Sequence, residues 1–237
     1  VPHERTALPL PQGEKISDRI QRNYDIQKAS QMKAQSFRFK QAELGIFKTC
    51  EVQPVVDLIA KNERIIGLTM GKFSLIDLVH GILQKIHGGH VICATWSAGI
   101  KDANQVKWMM GTNLIQSFTL LTDHSYKTRQ NKYAMSIEEL FGVENIRTSE
   151  IHAKFTLIHN GDWKITILSS MNLNANSTCE TFEIDTDSEV FEFYMDFVNH
   201  TFGTMPEGFT ADSGLAGKSM EMFFNKTIKQ TRLWTEL

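Results

Sequence analysis

Two pairs of residues stand out for the chemistry their side chains could do: His152 with Lys154, and Ser170 with Asn172, each pair spaced two apart. Residues 151–158 and 163–168 read as strands, separated by His159-Asn160-Gly161-Asp162, whose Asn-Gly step is a hairpin signal. Side chains alternate along a strand, so His152 and Lys154 are expected on one side, with Ala153, Phe155 and Leu157 filling the other. Ser170 and Asn172 then end the neighbouring antiparallel strand. The hairpin thus brings an imidazole, an ammonium, a hydroxyl and a carboxamide to one patch. Such a set suits phosphoryl transfer, which needs a nucleophile and donors for the oxygens that carry developing charge.

The elements that must hold this patch are legible around it. Arg64–Met70 is a short apolar run ended by glycine, the mark of a buried strand, and Ser74 caps a helix over Leu75–Ile86 whose apolar residues recur at helical spacing. Gly88-Gly89 stops that helix before a second strand, His90–Trp96. A helix from Asp102 to Met110, a strand around Phe118–Leu121 and a helix near Ser136–Phe141 follow. Glu180–Ile184 reads as a further strand, and the aromatic-rich Val190–Phe202 as a helix that supplies core or an interface. Alternation of strand and helix predicts an α/β sheet covered by helices.

The 237 residues carry a net charge of −2 at ordinary apolar content. Residues 1–48 hold nine Lys/Arg against five Asp/Glu, so a basic leading segment precedes an acidic body. A cationic arm of this kind gains counterion release on nucleic acid, although mixed charge on a solvated helix accounts for it equally well. The first 15 residues, with three prolines, read as an irregular tail. Ser17 then opens a polar helix closed by Gly45. The boundaries expected are 1–48 for tail and helix, 49–204 for the domain bearing the chemistry, and 205–237 for a C-terminal extension ending in a helix. Three scattered cysteines offer neither a disulfide framework nor a CxxC pair. With no signal-peptide-like or membrane-spanning apolar run, they point to a cytoplasmic protein without membrane association.

HxK alone is a weak signal, but HxK followed at this spacing by SxN and then Glu180 is far more specific. In these residues the chain resembles the phospholipase D superfamily, over about residues 50–204, with one motif per chain. The resemblance implies a mixed β-sheet flanked by helices and catalysis through a phosphohistidine on His152. Lys154 and Asn172 would hold the nonbridging phosphate oxygens, Ser170 would add a polar contact, and Glu180 would fix the His152 tautomer through Nδ1. Because single-motif members pair, it also implies a homodimer whose two His152 residues share one site, with no metal or other cofactor. Two positions depart from the pattern: His159 stands where the motif has aspartate, and Ser169 where it has glycine, narrowing the room for substrate backbone.

Several assignments stay open from the residues alone. Glu183 competes with Glu180 as the acidic partner. Trp96, with Ser97 at a strand end, either lines the substrate cleft or packs in the core. His159 is expected to be a turn residue. His87 and His90 have metal-compatible spacing but no Cys or acidic companion, so no metal site is expected. The leading function is a DNA-cleaving phosphodiesterase. The alternatives are a noncatalytic DNA-binding or assembly protein that keeps the phosphate site, and a lipid-acting phospholipase.

Overall fold

Apolar residues in the strand segments alternate between two helical layers, so the sheet is buried on both faces over most of its width. The computed structural model describes residues 42–47, 51–174 and 177–233. The chain runs β1 (Ala42–Phe47), α1 (Gln53–Asp57), β2 (Arg64–Thr69), α2 (Leu75–Ile86), β3 (Gly89–Thr95), α3 (Ile100–Gly111), β4 (Ile115–Asp123), α4 (Tyr126–Arg129) and α5 (Asn131–Phe141). It continues through a 3-10 turn at Val143–Asn145, β5 (Ile146–Ser149), β6 (Phe155–His159), β7 (Lys164–Ser169), β8 (Glu180–Asp185), α6 (Ser188–Thr204) and α7 (Ser213–Leu233). The α/β class and the mixed sheet flanked by helices are as expected.

The strands form one eight-stranded sheet in the order β1-β2-β8-β7-β6-β3-β4-β5. β1 and β2 are parallel, as are β3, β4 and β5, while β8, β7 and β6 run antiparallel between those two groups. The carboxyl ends of β1 to β5 and β7 therefore share one edge with the amino ends of β6 and β8. In open α/β sheets the carboxyl edge is where loops are freed to bind ligands.

One face packs under α1, α2, α3 and α5, with Ile65, Val91, Phe118, Ile165, Ile167 and Phe182 meeting Leu78, Ile82 and Val106. The other packs Ile92, Ala94, Leu121, Phe155 and Leu157 against Phe191, Phe197 and Val198 of α6, with Phe223 of α7 alongside. Full burial of side chains of this size contributes about 1.5–3 kcal/mol each before entropy. The α2 start is set locally. Ser74 Oγ accepts from the Asp77 amide at 3.3 Å and the Asp77 carboxylate accepts from the Ser74 amide at 2.8 Å, a complete capping box.

Two expectations need correction. Gly45 does not close a helix: residues 42–47 are a strand in register with β2 (Ala42 opposite Arg64), so the sheet begins before residue 49. The part of that expected helix from Ser17 to residue 41 lies outside the described residues. Residues 151–154 are not strand. β5 is the edge strand and β6 lies three places inward, so the connection must cover about 14 Å of strand spacing. Six residue steps reach only about 20 Å at full extension. The segment is therefore drawn out across the ends of β4 and β3 and does not pair. Strand alternation accordingly fails there, and Ala153 is exposed where a buried residue was expected.

Gly71, just past β2, holds φ +66°, and a Cβ on it would stand 2.1 Å from the Ser177 carbonyl oxygen. Gly71→Ala is expected to cost about 1–3 kcal/mol from backbone strain, more if the 177–179 segment cannot retreat. Urea denaturation of the two proteins measures this as a lower midpoint at unchanged slope.

Candidate active site

Each of the expected site residues lies at the carboxyl edge just described. His152 and Lys154 sit in the crossing segment before β6, Ser169 and Ser170 at the end of β7, Asn172 two residues on, Glu180 at the start of β8, and Trp96 just past β3. Three separate stretches of chain thus meet at one edge, because β6 and β8 start where β3 and β7 end.

Around the nucleophile candidate, the Trp96 indole and the exposed His152 imidazole lie with centroids 5.4 Å apart and planes 57° apart. Lys154 Nζ donates to the His152 carbonyl oxygen at 3.2 Å, folding the lysine back toward the histidine. Burial draws the Lys154 ammonium below the ordinary lysine value, while the Glu180 carboxylate acts in the opposite sense. Ser170 Oγ donates to the Glu180 carboxylate and accepts from the Thr181 amide at 3.0 Å, and the Ser170 amide donates to the Thr181 carbonyl. Glu183, the competing carboxylate, is instead ion-paired with Arg64 at 3.3 Å. Glu180 is the acid that stands with Ser170 and Lys154.

Asn172 is held through Thr95. The Thr95 hydroxyl lies 2.8 Å from the Ser97 carbonyl and 3.3 Å from Asn172 Oδ1 as donor, and accepts from the Leu173 amide at 3.1 Å. Leu173 forms a parallel bridge with Ala98, and the Gly99 amide donates to the Leu173 carbonyl at 2.7 Å. With its carbonyl end turned to Thr95, the carboxamide has its NH2 end to offer an anion. Ser169 does not open space as a glycine would: its hydroxyl accepts from the Met171 amide at 3.1 Å, shaping the turn.

A cavity of about 370 Å³ adjoins this edge, lined among others by Lys154, Ser169, Ser170, Glu183 and Tyr194. His152 and Asn172 are outside that lining, so the chemistry would take place on the open edge beside it.

Sequence reasoning missed the cluster behind Trp96. The Arg129 guanidinium stacks 3.6 Å from the indole centroid, a cation–π contact of about 0.5–2 kcal/mol depending on desolvation. The signal available was Asp123-His-Ser125 directly after a strand, an Asx-type turn in which the Ser125 amide donates to Asp123 Oδ1 at 2.9 Å. His159, the residue at the motif's aspartate position, lies at the opposite end of β6. It stacks on its cross-strand partner His90 at 5.0 Å and meets Phe191 edge-on. Burial first, then His90 and Lys164, lower its pKa. His90 in turn bonds Ser117 through Nδ1 at 2.7 Å.

No protein-family model matches the chain, and no curated protein matches it. Among solved structures it is similar to a phospholipase D family member, Nuc from Salmonella typhimurium, at 10% identity and a TM-score of 0.44, over 61% of this chain and 96% of that one. It is also similar to NucT from Helicobacter pylori, at 15% identity and 0.45, over 61% of this chain and 99% of that one. TrmBL2, an archaeal chromatin protein, matches at 8% identity and 0.39, over 80% and 66% respectively. At this identity and superposition the likeness says nothing of chemistry, which rests on this chain's own residues.

Two outcomes follow from the geometry. Thr95→Val removes the hydroxyl but keeps the volume, leaving the buried Leu173 amide with the Ser97 carbonyl alone. It is expected to cost about 1–3 kcal/mol in chemical denaturation. The folded pKa of Lys154 lies below its unfolded value, so between the two the unfolded chain holds the extra proton and stability rises with pH. Glu180→Gln takes away the opposing influence, and lysine-selective NMR titration should find Lys154 depressed further. An unchanged or higher value would separate the two residues.

Proposed function

We propose that the chain is a metal-independent phosphodiesterase of phospholipase D type that cleaves DNA as a homodimer. The observation that carries the reading is the meeting of the His152–Lys154 segment, the Ser170–Asn172 turn and Glu180 at one sheet edge, with Lys154 folded against the His152 backbone.

In this reading His152 attacks phosphorus, forming an N–P bond as the P–O bond to the leaving group breaks. The second copy's His152 gives its proton to the leaving oxygen. That histidine, now neutral, takes a proton from water, whose oxygen displaces the imidazole and releases the phosphate end of the product. Lys154 and the Asn172 NH2 group meet the nonbridging oxygens, whose charge grows in the transition state. In this reading Glu180, bonded by Ser170, steadies the Lys154 ammonium and would hold the His152 tautomer. The positive charge the step requires comes from lysine and imidazole, so no cofactor enters. The basic 1–48 segment would add phosphate contacts along the strand. The two departures from the motif, His159 for aspartate and Ser169 for glycine, favour one further reading, a DNA-binding or assembly protein that keeps the phosphate site without turnover.

Plasmid and single-stranded DNA incubated in EDTA test the proposal. Cleavage is expected, and His152→Ala should reduce it by roughly a thousandfold or more, because the nucleophile itself is removed. Intact mass under mildly basic quench should reveal one adduct on His152, a DNA fragment joined through its terminal phosphate. Binding without cleavage in both proteins would establish the noncatalytic reading. Sedimentation showing only monomer at all concentrations would remove the shared-site mechanism.

A further inference from the structure

Resting on the reading of His152 as the nucleophile, we infer that Arg129 is a positioning residue for that histidine, acting through the Trp96 indole. An exposed imidazole on an extended, unpaired segment has rotamer freedom that an in-line attack cannot tolerate. Among the described residues, the aromatic ring in contact with His152 is Trp96.

Trp96 is in turn held from behind by one short helix. The Arg129 guanidinium lies 3.6 Å from the indole centroid and its Nη2 donates to the Trp96 carbonyl oxygen at 2.8 Å, fixing ring and backbone together. Arg129 Nε donates to Ser125 Oγ at 2.8 Å. Ser125 is itself bonded to the Asp123 carboxylate, which lies 3.9 Å from Arg129 Nη2. Two positions after Trp96, the Ala98 carbonyl accepts from the fully buried Tyr126 hydroxyl at 2.9 Å. α4 therefore grips the 96–98 loop at both ends. Two of the guanidinium's five N–H donors are directed at Trp96 and Ser125, and its face lies on the indole, so Arg129 fixes the ring that the imidazole meets. A planar fork that stacks and donates at once is a task lysine cannot perform.

The test uses Arg129→Lys and Arg129→Met in the full chain, with Trp96→Ala alone and combined with Arg129→Met. In protein carrying labelled histidine, with the His152 signals assigned from His152→Asn, the ring protons of His152 should be displaced by the Trp96 ring current. Both Arg129 variants should move them toward the positions seen in Trp96→Ala. For cleavage, kcat should fall roughly tenfold to a hundredfold in either variant, with KM within about twofold, the pattern of a misplaced reacting group. Adding Arg129→Met to Trp96→Ala should cost no more than about twofold further, because the two residues act in series. Unmoved His152 signals in both Arg129 variants, or losses that multiply in the double variant, overturn the inference. If Arg129→Met fails to fold, Arg129→Lys decides on the same signals. If the wild type cleaves nothing, the phosphodiesterase reading fails, while the ring-current measurement still decides whether Arg129 positions His152.

Discussion

Antiparallel pairing of β6 with β3, Ala94 opposite Phe155 through His90 opposite His159, governs where the chemical groups of this chain can go. A parallel β6 would have started at the far edge of the sheet and carried His152 and Lys154 away from Trp96. Run antiparallel, it begins where β3 ends, and the hairpin to β7 returns the chain to that edge with Ser169 and Ser170. β8 then repeats the reversal and brings Glu180. The pairing is secured from both faces, since Leu157 enters the layer under α6 while Ile158, Ile165 and Ile167 enter the layer under α2 and α3. A one-residue slip would exchange those sets and expose them.

At the edge itself the forces change from apolar burial to directed polar contacts. Thr95 ties the loop after β3 to the turn after β7 with a single buried hydroxyl. Asp123 and Ser125 order α4, which carries Tyr126 and Arg129 beneath the same loop. Charges are paired in short range: Arg64 with Glu183 and Asp185, Arg129 with Asp123, Lys154 within the field of Glu180.

The layers are uneven. α6 and α7 cover the half of the sheet near β5 to β7, whereas Leu44 of β1 is 77% exposed and Leu68 and Met70 are also exposed. The helical layer on the other face is fuller, and it holds α2 and α3, which follow β2 and β3 and so start beside the loops of the edge.

Local chemistry made much of this readable in the sequence. The capping box at Ser74, the 3.6-residue spacing of Leu75–Ile86, and Asn160-Gly161 as a turn depend only on near neighbours; Asn160 Oδ1 indeed accepts from the Asp162 and Trp163 amides. β5 was not readable, because Arg147, Thr148 and Ser149 are buried polar residues whose burial comes from β4 and α7, not from any periodicity. β1 was misread because six residues with a glycine look like a helix end until β2 is there to pair with. By itself the sequence determined which residue types could do the chemistry and their spacing along the chain. Tertiary structure alone decided that 151–154 crosses the strand ends, that Glu180 faces Ser170 while Glu183 turns to Arg64, and that Arg129 supports Trp96. Those outcomes depend on strand order, and strand order is set by contacts between segments far apart in the chain.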